Sequence, residues 1–304
     1  MKTALPGAMV DRLPPAQLGV RPRVAWLVAP LAILMLLGYL APLVQTLINS
    51  FHPNAPSGID ATQWTFANYA KLIDPFYFGI FVRTLRISLI ISLITAVLAY
   101  PVAVYIARLG SRAQALMLLA YMTPWLINVV VKAFGWSLLL RGNGIINQAL
   151  RGLGIIDAPL QLMFNETGVV IGLVHGHFMF ILLPLWVAIS GLDPNLRWAA
   201  GNLGARPWRI FVHVVLPLTL PALIAGTIIN FTMNIAAFAS PAILGGSRTR
   251  VISYVAYEIN LVDLNWPFGG AMALALLVIT LALVWLAQLL ALSSNRAAFR
   301  EPAA

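Results

Sequence analysis

Few side chains in this sequence are of a type that could do chemistry, and their spacing argues against most of it. His175-Gly176-His177 presents two imidazoles. Two apart on a helix they point about 200° away from each other, and no Cys or Glu cluster joins them to complete a metal site. Cysteine is absent, which excludes disulfides, thiolate catalysis and zinc–thiolate centres. No G-x-x-x-x-G-K-[ST] phosphate loop occurs, so any ATP hydrolysis must come from another subunit. The serines, histidines and carboxylates are not ordered by a nucleophile motif. The residues therefore read as those of a protein that catalyses nothing covalent, with no catalytic residues, no metal and no cofactor of its own.

What remains is a small set of polar groups in apolar surroundings, where each is costly and faces a cavity or a partner. Lys132 follows Asn128 by one turn. It suits either a solute pathway or a structural role, snorkelling or pairing with an outer carboxylate. Asn230 and Asn234 lie four apart on one helix face, near Phe231 and Phe238. They are candidates for lining a pore, with hydrogen bonds between packed helices as the alternative. Tyr254, Glu258, Asp263 and Trp266 cluster in sequence. Carboxylates and aromatic faces together hold organic cations, but an outer loop that contacts a solute-binding protein would have the same composition.

The elements that must position these groups are set by hydropathy. Of 304 residues 61% are hydrophobic and 9% charged, against about 25% charged in a soluble domain. Charge-free runs at 24–48, 87–107, 113–131, 167–192, 210–247 and 264–295 reach the about 20 residues that a helix needs to cross a bilayer. Backbone groups in hydrocarbon must pair internally, so the runs are expected to be helices. The expected fold class is all-α, a polytopic membrane protein with six transmembrane helices at 24–48, 84–107, 114–139, 168–190, 213–237 and 268–292. A disordered leader, 1–23, precedes this domain of 24–292, and a tail, 293–304, follows it. A short surface helix is expected around 145–153.

Six spans put both termini on one side. That side carries Lys2, Arg12, Arg21, Arg23, Arg108, Arg112, Arg197, Arg206, Arg209, Arg296 and Arg300 against Asp11, Asp193 and Glu301, a net +8. The other side nets +2, which completes the formal +10. The excess marks the first side as cytoplasmic and accounts for the basic character without nucleic acid. No carboxylate falls within the core of any span, which counts against a transporter driven by a proton or sodium gradient.

The loop at 191–212 is the most informative stretch. Asp193-Pro194 reads as a helix start, a capping carboxylate followed by a residue with no amide to lose. Leu196, Ala199, Ala200 and Leu203 then form one apolar stripe. Gly204 is placed to end the helix in a left-handed conformation, and Pro207 to open the next. A helix this short is marginal alone, so it must pack on its own bundle or on a cytoplasmic partner.

Trp198-Ala199-Ala200, Leu203-Gly204-Ala205, Phe211 and Leu216-Pro217 resemble the Glu-Ala-Ala, Leu-Gly-Ala loop of binding-protein-dependent ABC importer permeases, with Trp198 where the family has its leading Glu. Trp125, Gly135-Trp136, Gly144-Ile145-Ile146-Asn147, Leu244-Gly245-Gly246 and Asn265-Trp266-Pro267 resemble the polyamine-importer branch, its first permease subunit in particular. The resemblance implies a type I permease fold in a bacterial inner membrane. It implies a second permease, two ATPase subunits that bind ATP and Mg, and a periplasmic or extracellular solute-binding protein. It assigns ATPase coupling to Leu196, Trp198, Ala199, Ala200, Leu203, Gly204 and Ala205, and makes Trp136 a further candidate for the pathway. The substrate it implies is spermidine or putrescine; related members carry other organic solutes, including phosphonates and amino-acid-like compounds.

Overall fold

A computed structural model describes residues 22–56 and 58–298. The expected leader lies outside the described residues except for its last two, and the tail lies outside them from 299. Helix α1 (Pro22–Ser50) forms the described part of one unit, Met1–Ile48, and enters the second, Asn49–Ala304, with its last two residues. It is apolar enough to span a membrane over Ala29–Ser50 and contains Pro30 and Pro42.

The second unit opens with a two-residue hairpin, β1 (Asn54–Ala55) and β2 (Gly58–Ile59), the one departure from all-α among the described residues. Helices follow in the order α2 (Ala67–Leu72), α3 (Pro75–Ile106), α4 (Ser111–Leu126), α5 (Val129–Leu140), α6 (Ile145–Gly152), α7 (Glu166–His177), α8 (Met179–Ser190), α9 (Pro194–Asn202), α10 (Pro207–Ile210), α11 (Leu216–Ile235), α12 (Ile252–Leu261) and α13 (Trp266–Ala298). Helical stretches long and apolar enough to cross a membrane are Ala29–Ser50, Pro75–Ile106, Val129–Gly152, Pro207–Ile235 and Trp266–Leu289. The bent pair α7–α8 makes a sixth if taken as one span.

Span two starts earlier than expected, and spans three, four and five are not straight rods. Span two begins at Pro75 rather than 84, because Asp74 caps the helix by accepting from the Phe76 amide (2.9 Å) and Pro75 occupies its first turn. The aromatic stretch Phe76-Tyr77-Phe78 therefore lies within the helix.

Span three is broken. Pro124 has no amide for the Ala120 carbonyl, α4 ends at Leu126, and Ile127 is extended (φ −71°, ψ 139°). Asn128 then caps α5 by accepting from the Val130 amide (2.8 Å). Span four bends by 42° at Phe178. Span five runs from Pro207 through a π-helical segment, Phe211–Val215, into α11. Pro217 cannot donate to the His213 carbonyl, and the widened turn accommodates that loss.

The main core lies where α3, α8 and α11 meet, around Ala99, Ala103, Ile181, Leu182 and Leu185. Tyr100 hydrogen-bonds Thr219 there (2.6 Å). Close approach depends on Gly226 of α11, where an added Cβ would stand 3.0 Å from the Phe180 carbonyl oxygen and 3.1 Å from the Ile181 Cα. Small residues play this part in membrane interiors, where helices attract by packing and not by exclusion of water. Helix α7 carries buried Gly168, Gly172 and Gly176 at four-residue spacing, and the Leu244 side chain packs at Gly172.

Candidate functional site

Helix α9 follows from its own residues. Asp193 accepts from the Asn195 amide (2.9 Å), and Pro194 fills the first turn. At the other end Gly204 has φ +80°, the Ala205 amide donates to the Ala200 carbonyl (3.1 Å), and the Gly204 amide donates to the Gly201 carbonyl (2.9 Å). These are the paired bonds of a Schellman ending, which require a left-handed residue at that point. The chain then turns into α10 at Pro207.

The apolar side chains of this helix are left largely uncovered. Leu196 is 44% exposed, Trp198 69% and Leu203 89%, with Trp208 beyond the turn at 71%. Ala199 and Gly204 are also exposed, and Ala200 and Ala205 are half-buried. Behind the helix a cavity of about 210 Å³ is lined by Ala107, Ile189, Leu192, Pro194, Arg197 and Trp198. The Arg197 Nε is buried beside it without a hydrogen-bond partner.

Deeper in the second unit, polar groups from three helices join. Asn230 and Asn234 are 0% and 4% exposed. Asn234 Nδ2 donates to Asn230 Oδ1 (2.7 Å), Ser92 Oγ donates to the same oxygen (3.0 Å), and Asn230 Nδ2 donates to the His177 carbonyl (2.9 Å). That carbonyl is the one the bend releases: the Ile181 amide, its partner in a regular helix, bonds Phe178 O instead. Asn230 thus satisfies the backbone that the bend in span four exposes. Asn234 Oδ1 lies 2.7 Å from His177 Nδ1; because the Asn234 amide nitrogen is already donating, His177 donates here. Both asparagines spend their hydrogen-bonding capacity within the chain, as helix-packing groups do.

Nearby, Trp136 Nε1–H donates to His175 Nδ1 (3.1 Å), with the rings T-shaped at 5.4 Å. The two histidines therefore serve different neighbours, as their spacing requires. Lys132 comes from the first turn of α5 and crosses to α7, with its ammonium 3.7 Å from where a side chain at Gly176 would begin. Lys132, Trp136, His175 and His177 are thus brought together, whereas Asn128 is exposed and serves as the α5 cap.

In the Tyr254–Trp266 cluster, Tyr254 and Tyr257 flank Phe238 at 6.2 and 4.7 Å between centroids. Glu258 sits 3.9 Å from Arg250. Burial, and then the hydrogen bond to Glu258, push the Tyr254 hydroxyl above its usual range. Asp263 and Trp266 are exposed on the turn that follows, which Asn265 closes by accepting from the Phe268 amide (3.2 Å). Ser92 and Glu166 escaped the sequence reading. Ser88 and Ser92 repeat the four-residue spacing of the asparagines, a visible signal; Glu166, which pairs with Arg83 and Arg86, carried none.

The second unit thus combines apolar helices long enough to span a membrane with a short, capped helix, α9, whose apolar side chains are largely uncovered. Residues 66–296 match the family of the binding-protein-dependent transport system inner membrane component. The chain belongs to that family. It is 33% identical over 216 residues to the spermidine/putrescine transport system permease protein PotB of Escherichia coli strain K12, covering 71% of this chain and 78% of the relative. The PotB of Haemophilus influenzae is 32% identical over 246 residues, covering 81% and 86%. A crystal structure of a bacterial alginate ABC transporter, in complex with alginate pentasaccharide-bound periplasmic protein, has a chain that superposes with a TM-score of 0.73 at 19% identity, covering 89% of this chain and 96% of that one. The fold is that of a type I ABC importer permease. The chain is a multi-pass inner-membrane permease subunit of a binding-protein-dependent importer, and it is not an enzyme.

Proposed function

We propose that this chain forms one half of the pore of an ATP-driven importer for polyamines or a related amine-bearing solute. A second, related permease forms the other half. Two copies of an ATPase bind ATP and Mg on the cytoplasmic side, where both termini of this chain lie. A solute-binding protein delivers the solute to the outer face, where the Tyr254–Glu258 and Asp263–Trp266 segments receive it. The chain itself binds no cofactor. The substrate class rests on likeness to the spermidine/putrescine permeases.

The observation that carries the coupling reading is the uncovered stripe of α9, with Leu203 89% exposed at a helix end held by Gly204. Such a stripe is stable only if something covers it. Closure of the ATPase pair around ATP would move α9, and through the Pro207–Ile235 span that motion reaches the pore. ATP then shifts the population between inward and outward states by binding one of them better. The test is purification of the tagged chain from its native membrane in mild detergent, with mass spectrometry of what comes with it. An ATPase and a second permease in stoichiometric amount are expected. Recovery of the chain alone, under conditions that keep a known importer complex intact, would overturn the proposal.

A further inference from the structure

The geometry points to a subsite for an anionic group, formed by Lys132 and His175, so that the solute carried is an amine that also bears a carboxylate. This refines the substrate class and rests on the importer reading above. Among the described residues the ion pairs are those of Arg83 and Arg86 with Glu166 and of Arg250 with Glu258; no carboxylate reaches Lys132. An ammonium at membrane depth is expensive unless a counter-charge or a polar path meets it. Lys132 is half-buried, and its ammonium rests against Gly176, 3.7 Å from where a Cβ would stand.

The neighbours add donors and no negative charge. His175 is exposed, and its Nδ1 is occupied in accepting from Trp136. Its proton is therefore on Nε2, the free side of the ring. Lys132, against Gly176, and His175, the residue before it, thus offer a cation and a neutral donor at neighbouring positions of α7, both of which a carboxylate can accept from. His177 is committed to Asn234 and does not compete. For a bare polyamine the same place is repulsive. An amine with a carboxylate at its other end meets opposite charge there.

The test uses the whole complex with its binding protein in proteoliposomes and two radiolabelled probes of equal chain length, putrescine and 4-aminobutyrate. Wild-type protein should import 4-aminobutyrate in preference to putrescine. Lys132→Met should lower 4-aminobutyrate uptake at least tenfold while leaving putrescine uptake unchanged or higher, and Lys132→Arg should restore it. Import of putrescine alone by the wild type would overturn the subsite and leave the importer intact. So would equal loss of both probes in an assembled Lys132→Met complex, which would make the lysine structural. ATP-dependent import of neither probe would remove the amine importer itself, and the subsite with it.

Discussion

Two glycines in the short helix α9 and its ending, three residues apart, should respond to substitution with opposite signs. Gly204 has φ +80°, and a Cβ built there meets nothing within 4 Å. Its substitution is thus a backbone penalty alone, about 1–2 kcal/mol for leaving a side chain in the left-handed region, with a β-branched residue at the upper end. About 2 kcal/mol is roughly a 30-fold shift away from the native helix ending. The alternative open to Gly204→Val is to leave that region, which breaks the Ala205–Ala200 and Gly204–Gly201 bonds and re-aims the chain between α9 and Pro207. Gly201 is helical and equally open, so Gly201→Ala should stabilise α9 by about 0.5–1 kcal/mol. The assay is ATP hydrolysis by the reconstituted complex with and without solute-loaded binding protein, alongside the amount of variant chain in the membrane. Gly204→Val should insert normally and lose at least tenfold in stimulated hydrolysis, whereas Gly201→Ala should keep it. Wild-type stimulation in Gly204→Val would refute the assignment of this loop to coupling.

Asn230→Ala removes three hydrogen bonds worth on average about 0.6 kcal/mol each between membrane helices. A loss of about 2 kcal/mol is expected in detergent unfolding, and a change below about a quarter of that would mean the carbonyl at the bend finds another donor. Gly226→Val should also destabilise, because its Cβ would press on the backbone of Phe180 and Ile181; overpacking costs about 1–3 kcal/mol, and a fall in the yield of folded chain would register it. Asp193→Ala deletes the α9 cap, about 1 kcal/mol, and should weaken ATPase co-purification with no effect on folding of the spans.

Helix α9 was legible in the sequence because its start, stripe and stop are local: Asp193 and Pro194 at one end, Gly204 at the other, each acting on backbone within a few residues. The apolar runs were legible for the same reason, since bilayer thickness translates directly into sequence length. The breaks at Ile127 and Phe178 were not. Pro124 lies just before the first, but a missing amide only permits a bend, and at the second the Ile181 amide is present and bonds Phe178 in place of His177. Whether one forms depends on what meets the released carbonyl, and at His177 that is Asn230, 53 residues away. The spacing of Asn230 and Asn234 showed that they share a face. Only packing against α3 and α7 decided that the face is buried and that the amides serve Ser92 and His177. Local backbone preference and hydrophobic length are written along the chain, whereas the partner of a buried polar group is chosen by distant segments once the helices have packed.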